Sequence, residues 1–389
     1  MYNASNDNAD VSAVCANLSL FTDPARLDRT TTHPALFDAP LRGRHSKDRE
    51  PDLLAVTMRD VAEKANVSIK TVSRVVNNQG EISEATRQRV LAAIRQLGYR
   101  PNIVARGLAS GRTASVALII PQITDPFFPE LVLGVESVAH RQGYSVFLCN
   151  TNEDPQQELD YIDILSGKQV DGIILCGSRL DAEQLSSVAT RHRVAILTSR
   201  RPAHAAVVSI PGRSGLRRMT SHLAELGHRR IGYVGLYWPG DQERLQGYYD
   251  GLAAHDLAAD DRYVRMLPTV TVELARHMAC DLLRATPEIT AMACYNDLAA
   301  LGVMQAAASL GRRVPEDLAV VGFDDIPLAS MVSPQLTTMH VPKYMLGQMV
   351  MDLLLKVIAA KGDYEEHAYV ELRLVVRESC GAQSRRSNG

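Results

Sequence analysis

The chain has six cysteines but no CxxC pair, and no cysteine lies near a histidine at a spacing that would share a metal. Cys15, Cys149, Cys176, Cys280, Cys294 and Cys380 are scattered, several in apolar runs such as "VFLCN" and "GIILCG" where a thiol acts as a small hydrophobe. That excludes a disulfide framework and a zinc site, and it fits a reducing compartment. No apolar run reaches the length of a membrane span, so no membrane partner is expected. The first 55 residues lack the apolar core of a signal peptide, which argues for a cytoplasmic protein. Also missing are a phosphate-cradling GxxxxGKS/T, a GxSxG nucleophile elbow and an HExxH helix. We therefore expect no enzyme, no catalytic residue, no metal and no cofactor. The tail "GAQSRRSNG" has no heptads, which argues against a tetramer built on a terminal coiled coil.

What is present points to several domains. A length of 389 residues, 46% hydrophobic and 22% charged, is ordinary for two or three globular units. The charge is unevenly placed. Residues 56–110 carry nine Lys and Arg against four acids, a local balance of +5 in a chain of net charge −2, so the remainder carries −7. A basic module on an acidic body suggests that one end meets a polyanion.

Residues 1–55, rich in Asn, Asp, Ser, Thr, Pro and Arg, read as a disordered extension; a start of translation nearer Met58 is the alternative. From Thr57 three short helices follow. Thr57 with Asp60 caps "MRDVAEKA", and Asn66 sits in the turn, where it tolerates a left-handed backbone. Ser68 caps "IKTVSRVVN", and Ser83 caps "EATRQRVLAAIRQLG", which stops at Gly98 before Pro101. Val61, Ala62, Val67, Val72, Val75, Val76, Val90, Ile94 and Leu97 supply a small core. Two helices joined by a tight turn, the second opening with polar side chains, is the helix-turn-helix pattern. Next, "RPNIVARGLASGRTAS" offers a helix of about two turns capped by Asn102, too short to be stable alone in water.

From Ser115 the pattern changes to short apolar strands: "SVALIIP", "YSVFLCN", "DGIILCG", "VAILTS", "RIGYVG", "YVRMLP", "AMACYN" and "LAVVGF". Helix-length amphipathic stretches separate most of them, which implies parallel sheets covered on both faces, with enough chain for two lobes. Ligands of such sheets bind beyond the strand carboxyl ends, in the loops after Pro121, Asn150, Gly177, Thr198, Gly235, Asn296 and Phe323.

The stretch "TMRDVAEKANVSIKTVSRVVNN", followed by "LGYRPNIVARGLASGRT", "GHRRIGYVG", "RLQGYYDGL", "CYNDLAALGV", "VPEDLAVVGFDDIPLA" and "PQLTTMHVP", resembles the LacI family of bacterial transcription regulators in order and spacing over about residues 56–378. The resemblance implies a small all-α helix-turn-helix domain (56–100), a hinge (101–112), and an α/β two-lobed, periplasmic-binding-protein-like domain with parallel sheets (113–378). Residues 379–389 are read as a flexible tail. It also implies a homodimer on a double-stranded DNA operator, acting as a repressor at the nucleoid.

By that resemblance Ile69, Lys70 and Arg74 read bases. Lys70 and Arg74 suit the O6/N7 edge of guanine, and Ile69 a thymine methyl. Ser68, Thr71, Ser73, Asn77, Ser83, Thr86, Tyr99 and Asn102 fall at backbone-positioning places. Ala105, Arg106 and Leu108 fall in the minor-groove hinge, Leu108 as a wedge between base pairs. The competing reading is a solvated helix face, and for Leu108 a core or linker residue. Phe127, Arg244, Asn296 and Asp324 match effector-binding positions. Their competing roles are local: Asn296 and Asp297 capping the next helix, and Asp324 closing a turn. Pro211, Gly212 and Ser199 replace acidic or amide residues of many relatives, with Arg200 and Arg201 behind Ser199. Asp324 as acceptor and Arg244 as forked donor suit a sugar or sugar acid, and the exchange at Pro211, Gly212 and Ser199 favours an acidic ligand such as a sugar acid or phosphorylated sugar. His228 reads as a structural loop residue, and the apolar stripe of the helix from Lys343 as core first and subunit contact second. The rival class is a solute-binding receptor, which shares the two lobes but needs a signal peptide and has no use for residues 57–108.

Overall fold

The computed structural model describes residues 56–76, 80–99, 112–198, 202–238, 242–360 and 362–382. The chain divides into two compact units, Met1–Tyr99 and Arg100–Gly389.

In the first unit, local hydrogen bonds set the helix ends. The Thr57 N–H donates to Asp60 Oδ2 at 2.7 Å and the Asp60 N–H returns to Thr57 Oγ1 at 3.4 Å, a reciprocal box that opens α1 (Met58–Ala65). Asn66 closes it in the left-handed region at φ 51°. Ser68 Oγ accepts from the Thr71 N–H at 3.1 Å to start α2 (Ile69–Val76). Ser83 caps α3 (Glu84–Leu97), which ends on Gly98 at φ 64°. The core holds Val61, Ala62, Val72, Val75 and Val90 as expected, together with Ala65, Ala93 and Tyr99. Val67, Val76, Ile94 and Leu97 lie partly buried at its rim.

The second unit holds two six-stranded sheets. The first is built from β1 (Ser115–Ile120), β2 (Ser145–Asn150), β3 (Gly172–Cys176), β4 (Val194–Leu197), β5 (Ala206–Ser209) and β11 (Glu366–Tyr369), in the order β11-β5-β4-β3-β1-β2. The second is built from β6 (Ile231–Leu236), β7 (Val264–Leu267), β8 (Ala291–Cys294), β9 (Ala319–Asp324), β10 (Thr337–His340) and β12 (Arg373–Val375), in the order β12-β10-β9-β8-β6-β7. Every pairing is parallel except β10 with β12. Helices α4 (Phe128–Arg141), α5 (Pro155–Gly167) and α6 (Ala182–Arg191) belong to the first lobe. Helices α7 (Gly212–Glu225), α8 (Glu243–Ala253), α9 (Val272–Ala285) and α10 (Asp297–Ser309) belong to the second.

The chain passes between lobes three times: after β5, after β10 and after β11. The second passage sends α11 (Lys343–Ala359) back onto α4 and the first sheet, burying Leu346, Val350, Leu353, Leu354 and Ile358. Here α4 and α11 cross at glycines: a Cβ on Gly134 would stand 2.1 Å from the Tyr344 carbonyl oxygen, and one on Gly347 2.1 Å from that of Leu131.

Two expectations need correction. Strand β2 is an edge strand, and it leaves Phe147 48% and Leu148 40% exposed despite its apolar sequence. The tail does not begin at 379. Ser379 is fully buried, where its hydroxyl donates to the Val320 carbonyl at 2.6 Å and accepts from the Thr337 N–H at 2.9 Å, stitching β9 to β10. Among the described residues no helix is long and apolar enough to cross a membrane.

Candidate functional site

On the first unit, α2 buries Val72 and Val75 and turns Ile69, Lys70 and Arg74 outward, Ile69 at 46% exposure. A branched apolar side chain held in water costs free energy, so its exposure favours a partner surface. Ser68 and Thr71 share a hydroxyl hydrogen bond of 2.9 Å, as do Ser83 and Thr86, so these four are anchored locally as well as facing outward. Tyr99 is only 7% exposed, because its ring completes the small core. Asn77, Asn102, Ala105, Arg106 and Leu108 lie outside the described residues.

In the second unit, loops at the strand carboxyl ends of both sheets line a cavity of about 160 Å³, roughly the space for one six-membered ring. Phe127, Arg244, Asn296 and Asp324 all line it. The loops singled out by sequence after β1, β2, β3, β4, β8 and β9 each contribute.

Arg244 is clamped. Its guanidinium lies 4.3 Å from the Tyr295 ring centroid and 4.0 Å from that of Phe323, donates to the Tyr295 carbonyl at 2.6 Å, and stands 3.5 Å from Asp324 Oδ1. Gly212, one of the departures noted in the sequence, makes room for this side chain: a Cβ there would lie 3.0 Å from Arg244 Cγ. Losing a polar residue at that place therefore lets the arginine stem pack in.

Asp324 is 5% exposed and adopts φ 109°, a left-handed backbone that a non-glycine residue holds only under restraint. The restraints are visible. Lys343, 1% exposed, donates to the carbonyls of Asp324 (2.8 Å), Asp325 (3.0 Å) and Val341 (3.3 Å). Asp325 itself is gripped by Arg377 at 2.6 Å and His340 at 2.8 Å. Asp297, fully buried, accepts from the Thr338 hydroxyl at 2.5 Å and the Ile326 N–H at 2.8 Å. The competing local role for Asp297 was a cap on α10; its side chain instead pins the turn that carries Asp324. Asn296 does cap α10, accepting from the Ala299 N–H at 2.9 Å, which leaves its amide NH₂ for a ligand.

These burials set the charges. Removal from water raises the Asp324 pKa to about 7; Arg244 opposes that rise, Asp125 adds to it and Lys343 opposes it again. Asp297 is driven well above the usual carboxylate range by burial and by Asp324. Burial pushes Asp325 up as well, but its bonds to Arg377 and His340 outweigh that and hold it low. Apart from the Arg244 guanidinium at 3.5 Å, Asp324 Oδ1 has no donor within hydrogen-bonding geometry. It is an acceptor waiting for donors.

Sequence reasoning missed Arg179, Glu153 and Asp125, which also line the cavity, and Lys343 behind it. Position alone could have flagged the first three, since they lie in loops after β3, β2 and β1. Phe127 is packed edge-on against Phe128, with ring centroids 5.3 Å apart, and shapes the wall. His228 bonds Thr290 at 3.0 Å, a loop-fixing role. Ser199, Arg200 and Arg201 lie outside the described residues. Among the described residues no group of His, Cys, Asp and Glu could hold a metal ion.

A small helical unit that faces its basic side outward, followed by a two-lobed ligand cleft, describes a DNA-binding regulator with an effector domain. Comparison with known proteins agrees. Residues 57–102 match the bacterial regulatory proteins of the lacI family, and residues 220–380 the periplasmic binding protein-like domain. The chain is 36% identical over 327 residues to the ribose operon repressor of Halalkalibacterium halodurans, covering 83% of this chain and 96% of that one. It is 34% identical over 337 residues to the transcriptional repressor CytR of Escherichia coli, covering 84% and 97%. The lac repressor dimer bound to operator and the anti-inducer ONPF superimposes with a TM-score of 0.76 at 27% identity, covering 84% of this chain and 99% of that one. The chain belongs to the LacI family. It is a DNA-binding transcriptional regulator with an effector-binding domain, and these relatives are transcriptional regulators rather than enzymes.

Proposed function

We propose that the protein acts in the cytoplasm as a homodimeric repressor on a two-fold symmetric operator, and that an uncharged, hydroxyl-rich small molecule in the cleft controls its grip. The observation that carries the effector reading is Asp324: a buried carboxylate on the cavity wall, held in a left-handed backbone, whose Oδ1 meets only the Arg244 guanidinium, at a loose 3.5 Å. A hydroxyl supplies a closer donor. The charge balance supports a neutral ligand over a sugar acid. Arg244 faces Asp324 and Arg179 pairs with Glu153 at 2.9 Å, while Asp125 and Glu243 add further acid to the lining. Lys70 and Arg74 would read guanine edges with Ile69 beside them. Leu133, 58% exposed, and Phe147 give α4 and β2 an apolar surface suited to a second copy.

The test is selection of bound fragments from bacterial genomic DNA, followed by titration of neutral sugars, nucleosides and sugar acids against the selected site. A neutral ligand should shift operator affinity, with the expected response lost in Asp324→Ala. Failure to select any fragment over bulk competitor rejects the DNA reading, and a response only to acids rejects the neutral-ligand reading.

A further inference from the structure

Trp238, the only tryptophan of the chain, follows β6 in the second lobe, and Arg179 follows β3 in the first. The Arg179 guanidinium lies 4.9 Å from the Trp238 ring centroid, so a cation stacks on an indole across the cleft. The first lobe builds this arm with some care. The Arg179 N–H is held at 3.0 Å by Glu158, a carboxylate that is 2% exposed on α5, and Glu153 takes the guanidinium Nη2 at 2.9 Å. The Arg179 side chain is 12% exposed, lines the cavity, and keeps a buried Nε–H with no acceptor.

We propose that Arg179 and Trp238 form a clasp across the effector cleft that biases the two lobes toward closure and that an entering ligand must rearrange. The inference rests on the cleft being the effector site. The stacked arrangement is self-limiting: it gains the cation–π contact but leaves the Arg179 Nε–H without an acceptor and Asp324 Oδ1 with only a loose contact to Arg244 at 3.5 Å. A ligand with an oxygen acceptor for Arg179 and a hydroxyl donor for Asp324 relieves both. Only a ligand that discriminates between lobe arrangements in this way can regulate.

The sole tryptophan makes the clasp directly readable in the full-length protein. Acrylamide quenching of Trp238 fluorescence should be low in the wild type, higher in Arg179→Ala, and intermediate in Glu153→Gln, which leaves the arginine but frees it. Affinity for a selected operator fragment, with no ligand added, should shift by about fivefold in Arg179→Ala, the change expected for losing one partly desolvated cation–π contact. Trp238→Leu should shift it by a similar factor, and the double variant no further than either single one. Quenching that is identical in wild type and Arg179→Ala overturns the clasp. Altered quenching with unchanged operator affinity, or additive effects in the double variant, overturns its influence on the lobes. A wild-type protein that selects no operator sinks the regulatory reading instead, and the quenching comparison still decides the clasp.

Discussion

Lys343 donates its ammonium to the backbone carbonyl of Asp324 at 2.8 Å from a side chain that is 1% exposed. The lysine opens the helix that returns to the first lobe, and the aspartate ends a strand of the second. One buried cation thus ties the cleft's main acceptor to a passage between lobes. Glu130 on α4 stands 3.6 Å from the same ammonium and extends the tie into the first lobe.

Replacing Lys343 by Met should leave the carbonyls of residues 324, 325 and 341 short of a donor. Unfolding in urea should show a loss of about 1–3 kcal/mol, the cost of leaving buried acceptors without a donor. A loss under about 1 kcal/mol would mean that water or a backbone shift replaces the ammonium with ease.

The protonation of Asp324 gives stability a definite pH slope. Its carboxyl takes up a proton near pH 7 when folded, against an ordinary value of 3.8. Between about pH 4 and 7 the folded chain therefore binds a proton that the unfolded chain does not, and stability from this group falls as pH rises through that window. Arg244, Asp125, Lys343 and Asp297 face or influence the group, and wild type and variant share them all. Asp324→Asn, which cannot ionise, should reduce the fall between pH 4 and 8 by about 3–4 kcal/mol, read from denaturant midpoints at each pH. Equal slopes in the two proteins would rule out a raised value for Asp324.

Effector affinity should move the opposite way with pH. A ligand hydroxyl donating to Asp324 favours the ionised carboxylate, so binding releases a proton. Affinity should then rise as pH goes from about 5 to 7 and level off above, because a group titrating near 7 changes little beyond it. Calorimetry in buffers of different ionisation enthalpy measures the proton released; uptake of a proton would reverse the assignment.

At the reading helix, Lys70→Ala should relax preference at one base pair, costing ~1–3 kcal/mol there and little elsewhere. Binding measured on a set of single-base operator variants distinguishes this from uniform weakening, which would place Lys70 on phosphate.

The α4–α11 crossing offers a packing test. Gly134→Ala puts a methyl where the Tyr344 carbonyl oxygen lies 2.1 Å away, so the helices must separate. A cost of about 1–3 kcal/mol is expected from overpacking, visible as a lower denaturation midpoint, even though alanine favours a helix more than glycine.

The sequence by itself determined what depends on near neighbours. Thr57 with Asp60, Ser68 with Thr71, and Ser83 with Thr86 are three residues apart, so their hydrogen bonds were legible in the order of letters. The strands β1, β3, β4, β6, β8 and β9 announced themselves as apolar runs because both their faces are covered; β2 and β7 read the same way, although both lie at sheet edges. Strands β5, β10, β11 and β12 were not singled out: they span three or four residues each, and "EHAY" in β11 alternates polar residues at a sheet edge. Tertiary structure alone decided that Asp297 pins a turn instead of capping a helix, that Ser379 stitches two strands, and that Arg179 meets Trp238. Those pairs lie 41, 59 and 59 residues apart. The last two contacts exist because the chain passes between two lobes and folds back, and the first because β10 returns beside β9; no local periodicity records where such a path returns.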